Sequence, residues 1–182
     1  MARYPYVRSS SPFDSELSKF AYLPLINVAL EIGSRSVNAG LAYIDTGAQW
    51  CLFDNGFARP LGIQDYKSTK FVVELSGIGG GEKRGEQFVK KMENKAYFHE
   101  MSLLIFKDPK KLKRANTWRI NTKVGFLENS IGFSGILGVI GFLDQFQFTT
   151  NIPRGYFEIE PLFEIEEEEI QHPDKQSVKR ES

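Results

Sequence analysis

The chain has 182 residues, 41% of them apolar, which suits one domain with a substantial core. Its 23 basic and 23 acidic side chains cancel to a formal net charge of zero, which argues against a nucleic-acid or anionic-membrane binder, since such proteins carry a net basic face. A single cysteine, Cys51, excludes an intrachain disulfide, and with only His99 and His172 beside it there is no cluster of zinc ligands, so no metal or other cofactor is expected.

Residues 1–17 are polar, with two prolines and a Ser9-Ser10-Ser11-Pro12 run, and are expected to form a flexible N-terminal arm. The domain proper is expected over residues 18–162. From Phe20 to Ile32 the apolar positions read as a strand, Gly33-Ser34 breaks it, and Arg35 to Ile44 reads as the returning strand. That strand runs into Asp45-Thr46-Gly47-Ala48, and a second apolar run, Trp50-Cys51-Leu52-Phe53, leaves it. Asp54-Asn55-Gly56 is a turn, and Phe57 to Ile63 reads as one short helical turn. Lys70 to Leu75 is a further strand; it enters Gly77-Ile78-Gly79-Gly80-Gly81 and returns through Gln87-Phe88-Val89, a hairpin with a glycine-rich tip.

Tyr97 to Phe106 is another strand. Residues 107–123 carry seven basic side chains and read as a solvated loop, with Trp118 and Phe126 as its anchors to the core. Ile136 and Leu137 look like the end of a buried strand, and the spacing of Ile140, Leu143 and Phe146 predicts a short helix after Gly138 despite Gly141. Phe146 to Thr150 and Tyr156 to Glu160 pair as a terminal hairpin. Residues 163–182, with the Glu166–Glu169 block, form a charged tail expected to be disordered. Many short strands, frequent glycines and one or two short helices predict an all-β closed barrel or sandwich.

Other chemistries find little support. The Gly77–Gly85 stretch is neither G-x-G-x-x-G nor a P-loop, and neither histidine sits in a triad motif. No apolar run approaches the ~20 residues of a membrane-spanning helix. The lone thiol in an apolar run reads as a core residue, and with Met1-Ala2-Arg3-Tyr4-Pro5 lacking the pattern of a secretion signal, a reducing cytoplasmic setting is expected.

Asp45 stands out because an ionised carboxylate is costly to bury unless it is hydrogen-bonded or shares a proton. Asp, Thr and Gly are also good turn formers, so an Asx turn accounts for most such triplets in isolation. It is not isolated. An apolar strand into Asp45-Thr46-Gly47-Ala48, the glycine tip Gly77-Ile78-Gly79-Gly80, and Ile136-Leu137-Gly138 followed by Gly141 to Phe146 stand in that order. In this the chain resembles the retropepsin-like aspartic proteases over residues 20–160, closest to the single-motif proteins of bacteria. It departs from compact retroviral enzymes in the longer segment between the glycine tip and Ile136 and in its two termini.

The resemblance implies a closed β-barrel with a flap hairpin and an aspartic endopeptidase without cofactor. Peptide hydrolysis by an activated water needs one group to take a proton and another to give one. Two adjacent carboxylates that share one proton supply both. The chain has aspartates at positions 14, 45, 54, 65, 108, 144 and 174, and only Asp45 precedes Thr-Gly. The second carboxylate is therefore expected from a second copy, in a two-fold homodimer.

By the same resemblance, Thr46 would bond across the dimer axis, Gly47 would donate its N–H to the carboxylate, and Ala48 would leave the outer face of the carboxylate without a hydroxyl. Gly77, Ile78, Gly79 and Gly80 would close over an extended peptide, and Ile136, Leu137 and Gly138 would pack beneath the catalytic loop. The competing expectation keeps the fold as a catalytically silent dimer that binds extended peptides or a partner protein. A third is an unrelated β-domain whose Asp-Thr-Gly is a turn.

Overall fold

A computed structural model of the chain describes residues 1–15, 18–75 and 94–163. Twelve strands follow in order: β1 Ala2–Pro5, β2 Val7–Ser15, β3 Ser18–Leu23, β4 Leu25–Ile32, β5 Arg35–Ile44, β6 Leu52–Asp54, β7 Val72–Leu75, β8 Asn94–Phe106, β9 Thr117–Leu127, β10 Gly135–Leu137, β11 Phe146–Asn151 and β12 Tyr156–Pro161.

Six of them close a barrel in the order β4-β5-β10-β6-β9-β8, with β8 pairing back onto β4. The closure removes free edges from the central sheet. The 13 residues of β8 make this possible. Its second half pairs with β4 at Ser102–Ile105, its first half pairs with β7 at Asn94–Tyr97, and β9 runs beside it from Ala96 to Phe106. One strand thus serves both the barrel wall and the stem of the hairpin that β7 begins.

The strand pairs follow from local chemistry. Gly33, with φ +56°, turns β4 into β5 where a side chain would be strained. Pro24, which has no N–H, separates β3 from β4, so the apolar run 20–32 is two strands and not one. Alternation then points Ile26, Val28 and Leu30 inward, where they meet Ile44, Phe53, Leu103, Ile105 and Phe126 in the barrel core.

The terminal hairpin β11–β12 forms as the alternation predicts, around a 3₁₀ turn at Ile152–Arg154 and Gly155 at φ +74°. Its inward side chains Phe146, Phe157 and Ile159 join the same core.

Three expectations are corrected. First, the polar N-terminal segment forms β1 and β2. Strand β1 adds to β12 in a three-stranded sheet ordered β1-β12-β11. Ala2 and Tyr4 face inward; Tyr4 stacks on Phe157 at 5.4 Å and donates its hydroxyl to Phe106 O at 2.7 Å. Two inward residues are too short a period to stand out in a sequence with prolines nearby.

Second, no α-helix occurs among the described residues, neither at 57–63 nor after Gly138; the helical turns are 3₁₀. Gly141 takes φ +92°, outside the helical region, and the N–H groups of Leu143 and Asp144 reach back to Gly138 O and Val139 O. These bonds span five residues, so the chain coils more widely than an α-helix, and Phe142 and Phe146 are the residues buried.

Third, only the first part of the 107–123 segment is a loop. From Thr117 onward it is β9, with Trp118 and Phe126 in the core.

The basic segment is also not merely solvated. Glu31 at the end of β4 is 3% exposed, bonded to the guanidinium of Arg119 and 2.7 Å from Arg114 Nη2. Arg119 also reaches Ser102 Oγ at 3.3 Å. A buried carboxylate needs such partners, and the arginines in turn need it. Replacing Glu31 by Ala is expected to destabilise the fold by about 3 kcal/mol, the lower end for breaking a buried pair because Arg114 is half exposed. Glu74→Ala, which removes the exposed pair with Lys95, is expected to cost less than ~1 kcal/mol. Urea denaturation of the two variants checks this, and equal losses would show that the Glu31 cluster does not anchor the segment.

Candidate active site

Strand β10 comes from the far end of the sequence and inserts between β5 and β6, parallel to β5 and antiparallel to β6. Its register sets Leu137 beside Ile44, so that both strands end together and both loops leave the barrel at one place. Asp45 N–H donates to Leu137 O at 3.1 Å, Val139 N–H to Ala48 O at 2.9 Å, and Ile140 N–H to Gln49 O at 2.9 Å. The 45–50 loop is therefore sewn to the 137–140 segment through three backbone bonds.

Gly138 makes that approach feasible. A Cβ there would lie 2.4 Å from Trp50 O and 2.7 Å from Ala48 O. Gly135 is required for a similar reason, since a side chain would enter the Phe53 ring. Ile136 and Leu137 are buried, Ile136 among Leu52, Ala96, Phe98 and Leu127, and Leu137 in the barrel core.

Asp45 begins immediately after β5 ends and is partly buried, with Thr46 and Gly47 exposed beside it. Gly47 N–H donates to Asp45 Oδ1 at 2.9 Å, and Ala48 N–H to Asp45 O at 3.2 Å. The first bond is at once an Asx turn and a donor aimed at the carboxylate, so it serves either reading of the triplet. Among the described residues no second carboxylate bonds to Asp45. Tyr43, stacked on Phe133 at 5.3 Å, has its phenol pushed up from its ordinary value by burial, with the nearby Asp45 charge acting in the same direction.

Gly77, Ile78, Gly79 and Gly80 lie outside the described residues. So does the expected returning segment Gln87-Phe88-Val89, whereas β7, which leads toward the tip, is described. Val73 and Leu75 of β7 pack with Ala48 and Trp50 of the Asp45 loop against Leu52, Ala96, Phe98 and Ile136. This second apolar cluster, outside the barrel core, joins the Asp45 loop and Ile136 to β7, the strand that leads toward the glycine tip.

Beside it opens a groove of about 350 Å³ lined by Trp50, Phe71, Val72, Val73 and Phe98, with Lys70 and Lys123. Trp50 meets Phe98 edge to face at 5.4 Å. These residues carry no motif signal, because β7, β8 and β9 bring them together only by pairing. A hollow of about 490 Å³ beside the β4–β5 turn shares none of the Asp45 loop in its lining.

Cys51, directly behind the loop, is fully buried, with its thiol 3.5 Å from Ile140 O. Burial pushes it up to about 12, opposed by a bond from Gly138 and helped by the Asp144 charge. It stays a thiol at neutral pH and is no nucleophile. Compared with known proteins, the chain matches no family model, no curated protein and no solved structure.

Two outcomes are expected. Gly138→Ala must push the backbone of residues 48–50 away and should destabilise the protein by ~1–3 kcal/mol, read as a fall in urea midpoint; an unchanged midpoint would mean that the contact is soft. For Cys51, the unfolded thiol ionises from an ordinary value of 9.0 while the folded one remains neutral. The unfolded chain then binds fewer protons, so stability falls as pH rises through 9, by up to ~1.4 kcal/mol per pH unit. Between pH 9 and 10 this slope should be flatter in Cys51→Ala, and equal slopes would contradict it.

Proposed function

We infer that the protein is a retropepsin-like aspartic endopeptidase, active as a homodimer in which each copy contributes Asp45. The observation that carries this reading is the meeting of two of the motifs with the strand that leads toward the third. Asp45-Thr46-Gly47-Ala48 and Leu137-Gly138 are joined by backbone bonds, and Val73 and Leu75 of β7 pack with Ala48, Trp50 and Ile136 in one apolar cluster.

The chemistry then requires a second copy. One Asp45 carboxylate, ionised, takes a proton from a water as its oxygen attacks the scissile carbonyl carbon; the other, protonated, gives its proton to the carbonyl oxygen. Collapse of the tetrahedral diol breaks the C–N bond, with a proton passing to the leaving nitrogen. Gly47 N–H holds the carboxylate in place. A peptide would lie extended against the hairpin stem, adding its backbone bonds as a strand does.

The face beside Asp45 suits a two-fold contact. Thr46 and Gly47 are exposed there, and Val139 and Ile140, each 38% exposed, flank them on the sewn segment. Strand β1 is already paired to β12 of its own chain, so among the described residues the outer edges of β1 and β11, and not a free arm, are the unpaired terminal elements.

One observation favours the silent-dimer reading. The Asp45 carboxylate already accepts a bond inside its own turn and so has a structural use without chemistry.

Asp45→Asn keeps the turn and removes the acid–base function. It is expected to lower peptide cleavage by ~10²–10⁴-fold or more while leaving the melting temperature and the sedimenting dimer nearly unchanged. Wild-type protein that cleaves no peptide from acidic to neutral pH would support the silent dimer instead. A monomer that retains activity would contradict the two-copy site.

A further inference from the structure

The groove beside Trp50 differs from an ordinary apolar cleft in its two cations. Its floor is aromatic, with Trp50 and Phe98 edge to face and Phe71 42% exposed at its mouth. Lys70 Nζ lies 5.2 Å and Lys123 Nζ 4.3 Å from the centre of the same Phe71 ring. Two ammonium groups from separate parts of the chain thus lie against one ring, Lys70 from the lead into β7 and Lys123 from β9. The ring quadrupole attracts each of them.

Among the described residues Lys123 pairs with Glu100, at 3.7 Å. That side chain is 80% exposed, so the pair is weak and readily exchanged for another carboxylate.

We propose that this groove is a carboxylate-selecting subsite, which takes a glutamate side chain from an extended peptide and thereby sets which peptides the protein accepts. The methylene stem of a glutamate would lie on Phe71 and Trp50, and its carboxylate would meet the positive charge that Lys70 and Lys123 bring to the groove lining. A glutamine fills the same space without the charge, and a lysine is repelled by both cations. Trp50 belongs to the Asp45 loop and Val73 to the hairpin stem, so a peptide in this groove lies alongside the candidate catalytic loop. Side chains of an extended peptide alternate, so one fixed position enters the groove and its neighbours do not. This proposal rests on the peptidase reading for its purpose but not for its test.

The test uses the full-length Asp45→Asn protein and fluorescein-labelled decapeptides of neutral background, each carrying Glu, Gln, Leu or Lys at one position in turn. Binding is followed by fluorescence anisotropy. At one position Glu is expected to bind about 3- to 10-fold more tightly than Gln, with Lys weakest, and the difference should shrink in high salt. Combining Lys70→Glu with Lys123→Glu should reverse the order so that Lys binds best. Lys110→Glu, an exposed charge outside the groove, should leave the order unchanged.

Equal binding of Glu and Gln at every position, an acid preference independent of position, no binding of any peptide, or a preference that survives the double reversal would each overturn the proposal. Wild-type cleavage of the same peptides separates the two readings. Cleavage without a glutamate preference removes the subsite and keeps the peptidase. Position-specific binding without cleavage does the reverse.

Discussion

The contact between Gly138 and the backbone of residues 48–50 governs the arrangement around it. Two loops from opposite ends of the sequence run side by side, joined by N–H groups of residues 45, 139 and 140 and by carbonyls of residues 137, 48 and 49. Such bonds form only when two backbones come within hydrogen-bonding reach, and here that reach leaves no volume for a Cβ. The parallel register of β10 on β5 delivers the two loops together, and the buried Gly135 lets β10 enter beside Phe53. Asp45 is thereby held by a frame built from backbone, which a change of neighbouring side chains disturbs little.

A second constraint is the division of the apolar residues between an inner cluster and an outer one beside Asp45, apart from a small third group of Ala29, Leu104 and Phe106. The inner one closes the barrel and is extended by the β1-β12-β11 sheet through Tyr4, Phe157 and Ile159. The outer one is small, and its members come from the Asp45 loop, the hairpin stem, β8 and β10. Strand β8 links the two, because its length lets it wall the barrel at one end and carry β7 at the other. Strand β7, mounted this way, packs Val73 and Leu75 directly against Ala48 and Trp50 of the loop that bears the carboxylate.

Much of this was legible from local pattern. The β4–β5 hairpin, its glycine turn, the terminal β11–β12 hairpin and the exit of β5 at Asp45 follow from alternation and turn residues that are adjacent in the chain. The errors share a cause. The apolar spacing after Gly138 has a helical period, yet Gly141 in a left-handed conformation, tied to Asp144, winds that segment as turns. The 1–5 segment is too short to show a period, and it becomes a strand because β12 offers a free edge and the core offers Tyr4 a site. The charge of 107–123 suggested solvent, whereas Arg119 and Arg114 turn toward Glu31, a partner distant in sequence.

By itself the sequence determined the all-β class and the order of the hairpins, and only through its resemblance to the retropepsin-like proteases did it suggest Asp45 as half of a proposed site. The class and the order depend on period and turn chemistry, properties of neighbouring residues. Only the tertiary structure decided that β10 threads between β5 and β6, that Gly138 is a point of backbone contact, and that Trp50, Phe71, Phe98, Lys70 and Lys123 share a groove. The reason is that strand pairing is non-local: which edge a three-residue strand selects depends on the closure of the whole barrel, and no local pattern encodes that choice.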